Sequence, residues 1–219
     1  MALSDIDDIL ADFPGWTTDF QLKSYDETSK TQGGDTLVKA RGTPLWNLTA
    51  TSRTLRPNEL DYWRARLESL DAGKRPFWGY SLSRCYPIAY PNGSWPGTFD
   101  GVSATIASLG SDNKSLSLAG LPSGFTLAVG DMFSFPYTSQ PRYALHRVEE
   151  AATAASNGTT GTFEVRPFIQ AGAAVGDVVS VKQPRCLMML VPGSISSTAE
   201  LQTGTGTVSF QGVQIPREF

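Results

Sequence analysis

Large apolar residues fall on alternate positions from Trp16 to about Leu55. In "DFQLKSYDET" they are Phe20, Leu22 and Tyr25; in "TLVKARGTPLWNLTATSRTL" the clearest are Trp46, Leu48 and Ala50. A period of two predicts half-buried strands, with "TQGGDT" as the turn between them. The period then changes. Through "RPNELDYWRARLESLDAGKRP", Leu60, Trp63, Leu67 and Leu70 recur at steps of three and four, which predicts one helix over 57–72 with a single apolar stripe. Pro57 suits its first position, Glu59 sits where the helix dipole favours negative charge, and Gly73 suits its C-terminal cap.

From about Thr98 the period of two returns in short pieces separated by Gly turns. Six predicted strands follow: "GVSATIASLG", "KSLSLAGLP", "GDMFSFPY", "RYALHRVEEA", "GTFEVRPFI" and "GDVVSVKQP". Strands spaced this evenly predict a small β-barrel or sandwich. In the fourth, Tyr143, Leu145 and Arg147 face one way and Ala144, His146 and Val148 the other. Gly-Asp precedes a strand twice, at 130–131 and 176–177, and reads as a turn device. The apolar run from Cys186 to Val191 predicts a buried strand, and "GTVSFQGVQIP" alternates, with Gly212 interrupting its register. Together these give a mainly β chain: a β-sandwich hub with one α-helix, plus an inserted OB- or SH3-like barrel. The hub occupies 1–95 and closes with 184–219; the barrel occupies 96–183.

Composition narrows the function classes. A net charge of −3 with no basic block argues against a protein that neutralises nucleic-acid phosphates. "CLMMLVP" is too short to span a bilayer. The start, "MALSDIDDILADFPGW", is acidic where a secretory leader would be basic. The two cysteines, Cys85 and Cys186, are expected to be free thiols, and two cannot build a four-cysteine zinc site.

Candidate chemistry is sparse. His146 is the single histidine, and nothing near it has the setting of a nucleophile elbow; a packed structural histidine is the expectation. Asp5, Asp7, Asp8 and Asp12 gather near the N-terminus without the spacing of a calcium loop. Asp131 and Asp177 fall at turns expected to be exposed, where a glycosidase-type raised pKa is not expected. No catalytic, cofactor or metal residue is assigned. The densest feature is aromatic: Trp78, Tyr80, Tyr86, Tyr90 and Trp95 lie within "PFWGYSLSRCYPIAYPNGSWPG". They read either as a stacking platform for sugars or bases or as a surface packed against a neighbouring subunit.

The order of these pieces resembles the distal tail proteins of long, non-contractile-tailed bacteriophages. "RGTPLWNLTATSRTLRPNELDYWRARLESLDAGKRPFWGY" is similar to the strand–helix–strand part of their hub. "LAVGDMFSFPYTSQPRYALHRVEEA", with "FEVRPFI" and the second Gly-Asp, is similar to a small β-domain of tail-tip proteins; "RCLMMLVPGSI" resembles the return strand. The resemblance implies a structural virion protein, not an enzyme. It would form a homo-hexameric ring at the tail tip, between the tail tube protein and the hub and fibre proteins, with DNA passing through the lumen unbound. It implies no cofactor and no membrane. Trp78, Tyr80, Tyr86, Tyr90 and Trp95 would then be candidate subunit-interface residues, and 1–15 a segment reaching to the next subunit. A carbohydrate-binding module at the tip, a hydrolase using Asp131 or Asp177, and a tail-completion ring are the alternatives.

Overall fold

The computed structural model describes residues 6–138 and 142–216. In chain order, a short helix α1 (Ile9–Asp12) leads into β1 (Gly15–Lys23), β2 (Asp26–Lys30), β3 (Thr36–Ala40) and β4 (Leu45–Ser52). Helix α2 (Pro57–Glu68) and β5 (Phe77–Gly79) follow. Then come β6 (Ala104–Leu109), β7 (Ser115–Ala119), β8 (Thr126–Leu127), β9 (Met132–Tyr137), β10 (Arg142–Val148), β11 (Ala152–Thr153), β12 (Phe163–Arg166) and β13 (Val178–Val179). The last strands are β14 (Cys186–Leu190), β15 (Ser196–Ala199) and β16 (Gly206–Gln214). The fold is mainly β.

The first sheet runs β1-β4-β16-β14-β5, with β15 also paired to β16. Its buried face carries Trp46, Leu48 and Ala50 of β4, Val208 and Phe210 of β16, and Phe77 of β5. Against it lies α2, whose Leu60, Trp63 and Leu67 are buried as the stripe predicts. The Arg56 N–H donates to the Glu59 carboxylate at 3.2 Å, tying off the first turn. The helix ends at Glu68, short of 72. Asp71–Gly73 forms a separate 3-10 turn, because Leu70 turns its side chain into the core there. Gly212 does not interrupt the register: it stays opposite Leu48 and Leu190. Glycine is required because the Phe77 ring would lie 2.8 Å from a Cβ at this position.

The N-terminal segment packs on its own chain. Ile9 and Leu10 are buried in the first core, and the Asp7 carbonyl accepts the Trp78 N–H at 3.0 Å. Arg66 of α2 holds the Asp7 carboxylate at 2.9 Å and the Asp12 carboxylate at 3.5 Å. The described part of 1–15 is therefore anchored on its own chain by Ile9 and Leu10; Asp5 lies outside the described residues.

The second sheet runs β13-β6-β7-β12-β10-β9, built from the six strands read in the sequence. Reciprocal backbone bonds between Ser134 and Ser180, at 2.9 and 2.8 Å, join its two ends, so the sheet is nearly a closed barrel. Its core holds Phe125, Phe133, Phe135, Phe163, Leu116 and Leu118, among others. The chain leaves the first sheet at β5 and returns at β14, and these two strands pair with each other: Phe77 with Met188, Trp78 with Leu187, Gly79 with Cys186.

Hairpin β9–β10 joins the two cores. Phe133, Phe135, Ala144 and Val148 point into the barrel, while Met132 and Leu145 enter the core of the first sheet. The Trp46 indole N–H donates to the Leu145 carbonyl at 2.8 Å. Hairpin β2–β3 is the opposite case. The stretch from Trp16 to about Leu55 was expected to alternate as half-buried strands, and β4 does. In β2 and β3, every residue is exposed. They form a two-stranded sheet of their own, leaving Leu37 58% and Val38 63% exposed.

Candidate interaction surfaces

The five aromatic candidates are placed by three different devices. Trp78 lies between β5's neighbours and the barrel: Tyr143 meets it edge-on at 4.7 Å, and the Arg185 guanidinium sits over its ring at 4.0 Å. Tyr80 is in the first core. Burial, and then the nearby Asp8 charge, push its hydroxyl pKa up to about 12. With Trp78 5% and Tyr80 3% exposed, neither presents a ring face to a sugar or to a neighbour. Tyr90 stacks on Phe125 at 4.4 Å and its hydroxyl accepts the Thr126 N–H at 3.0 Å. Trp95 contacts Tyr86 and Phe99, and Phe99 in turn meets Phe125. The stretch that the sequence left open between a stacking platform and a subunit-facing surface is thus a seam within the chain. Prolines break the strand pattern here, yet the rings are used to fasten the connection from β5 to β6 onto the barrel.

Asp131 was expected in an exposed turn and is fully buried. One carboxylate oxygen accepts the Ala128 N–H at 2.8 Å, closing the turn; the other accepts the Ile88 N–H at 2.7 Å. The side chain therefore clips the 85–96 connection to the barrel. Burial raises its pKa while the two N–H donors oppose the rise. Asp177 repeats only the local half: it accepts the Ala174 N–H at 2.8 Å and stays at the surface. In both turns the preceding glycine has positive φ, 92° at Gly130 and 96° at Gly176.

His146 is 1% exposed and stacked on Phe135 at 5.3 Å. Its Nδ1 lies 2.9 Å from the Pro167 carbonyl, which can only accept, so Nδ1 carries the proton. Nε2 is buried and has no partner among the described residues. Burial pulls the pKa down to about 4 against an ordinary 6.5. A neutral ring flat against aromatic neighbours is a core element, with no nucleophile or carboxylate at hydrogen-bond distance among the described residues.

Cys85 and Cys186 are free; burial raises both thiol pKa values, so neither is poised as a thiolate. Among the described residues no three His, Cys, Asp or Glu side chains gather as a metal site would need. Among them also, no helix is long and apolar enough to cross a membrane.

Two features face outward. One is the β2–β3 ribbon. Its exposure has a signal in the sequence, since β2 (DETSK) has no apolar residue and β3 has only the adjacent pair Leu37 and Val38 as large apolar residues. The other is a cleft on the barrel's closing seam, lined by Tyr143, Lys182, Gln183 and Arg185 with Val102 and Val178. Sequence reasoning missed it, since Lys182 and Arg185 lie in the link between β13 and β14 and meet Tyr143 only in the folded chain. No family model matches the chain, and no curated protein matches it.

Proposed function

We propose that this protein is a structural subunit of the distal tail ring of a long, non-contractile-tailed bacteriophage, joining the tail tube to hub and fibre proteins. On this reading it is not an enzyme, it acts as a homo-hexamer in the virion, and DNA passes its lumen without specific contacts. The resemblance of the hub and barrel segments motivates the reading. The observation that carries it is the β2–β3 ribbon. Two strands alone are marginal in water, and this pair buries no side chain in its own chain. A ring closed by heterologous contacts supplies the missing cover, since each subunit's ribbon lies on the next. The inserted barrel fits the tip, where an added body projects without blocking the tube.

Light scattering over a concentration series tests it. The expected result is a species rising toward six subunits, with Leu37→Ser/Val38→Ser remaining monomeric at the same concentrations while keeping the wild-type melting temperature. A wild-type chain that stays monomeric throughout and does not decorate isolated tail tubes overturns the reading.

A further inference from the structure

The cleft on the barrel seam encloses about 390 Å³, the lower range of small-ligand sites. Its charge is one-sided. Lys182 and Arg185 line it, and no Asp or Glu does. Neither cation forms an ion pair among the described residues, whereas Arg66 has two and Arg147 and Arg166 have one each.

Arg185 is also held in place. Its backbone N–H donates to the Ser134 hydroxyl at 3.1 Å, and its guanidinium lies over Trp78, which β5, β14 and Tyr143 fix from the other sides. Stacking uses the flat face of a guanidinium and leaves its in-plane N–H donors for a ligand. Lys182 adds a mobile point charge. The Ser180 hydroxyl donates to the Lys182 carbonyl at 2.7 Å, leaving its lone pairs to accept, and Tyr143 lines the same space.

A peptide strand is a poor occupant. Ser134 turns its N–H toward Ser180, so the next donor on that edge belongs to position 136, which is proline. A duplex is a poor occupant too, because the basic patch is two residues wide in a chain of net charge −3.

We propose that this cleft binds a phosphate group carried on a hydroxyl-bearing skeleton, such as a sugar phosphate or polyol phosphate. Arg185 forks onto the phosphate, Lys182 neutralises it, and Tyr143 and the Ser180 hydroxyl meet the carrier. The inference does not depend on the ring, and monomeric protein suffices to test it.

The experiment is calorimetric titration of the full chain at low salt with glycerol 3-phosphate, glucose 1-phosphate, inorganic phosphate, neutral glucose and a short DNA duplex. Saturable binding of the two organic phosphates is expected, tighter than for inorganic phosphate and absent for glucose. Lys182→Gln, at an exposed position, and Arg185→Gln should each weaken binding by about tenfold or more, the scale of a lost charge-assisted hydrogen bond. If Arg185→Gln fails to fold, Lys182→Gln decides alone. No saturable binding of either organic phosphate, equal binding of glucose, indifference to Lys182→Gln, or tighter binding of the duplex would each overturn the proposal.

Discussion

Hairpins β9–β10 and β2–β3 have the same antiparallel pairing and opposite environments. In β9–β10 both faces are buried: one fills the barrel, the other enters the core of the first sheet. In β2–β3 neither face is. β2, Asp26–Lys30, carries no apolar residue, and the two large ones of β3, Leu37 and Val38, are adjacent and so face opposite sides of the ribbon. The number of bodies available to each hairpin differs as well. The first hairpin lies where two bodies of one chain meet. The second has none in its own chain, and its Leu37 and Val38 are spare apolar surface of the kind that marks contact with another molecule.

Substitutions at matched positions should separate the two cases. The largest effect is expected for Phe133→Ala, at about 3–5 kcal/mol of unfolding free energy, because it empties the centre of the barrel. Leu145→Ala, on the outward face of the same hairpin, should cost about 2–5 kcal/mol; urea titration measures both. A loss of under about 1 kcal/mol at Leu145 would mean that the hairpin serves one core only.

His146 sharpens the comparison through pH. Its folded pKa is lowered to about 4, so the unfolded chain binds its proton first. The contribution is whole above pH 6.5 and declines as pH falls from there toward 4, by up to about 3 kcal/mol. The acid loss of stability in His146→Phe should be shallower than in the wild type by about that amount. Parallel curves would show that the ring is solvated. The smallest effect is expected at Val38→Ser, within about 0.5 kcal/mol for the monomer. A larger loss would place the ribbon against its own chain, and the contrast between the hairpins would collapse.

The sequence carried some of this arrangement and lacked the rest for identifiable reasons. The α2 stripe and the facing of β10 were legible because helix and strand periods act over a few residues: Leu60, Trp63 and Leu67 turn inward, and Tyr143 and Leu145 point opposite to Ala144 and His146. The six barrel strands were legible from their glycine turns. Asp131 was not, because the partner that explains its burial is the N–H of Ile88, supplied by another part of the chain. Trp78 was misread as surface because its cover, Arg185 and Tyr143, arrives only after the barrel has been completed. The cleft was invisible for the same reason: Lys182, Arg185 and Tyr143 share a wall only once the seam has closed.

The pairing of β5 with β14 also bears on the order in which the chain can fold. These neighbouring strands are separated by about a hundred residues of sequence, and bringing the ends of so long a flexible loop together is entropically unfavourable. Once the barrel has formed, that loop shrinks to the short tethers on either side of it, which lowers the closure penalty by roughly 2 kcal/mol. The route of least entropic resistance is therefore barrel first and sheet second, with the inserted body acting as the clamp that delivers β14 to β5.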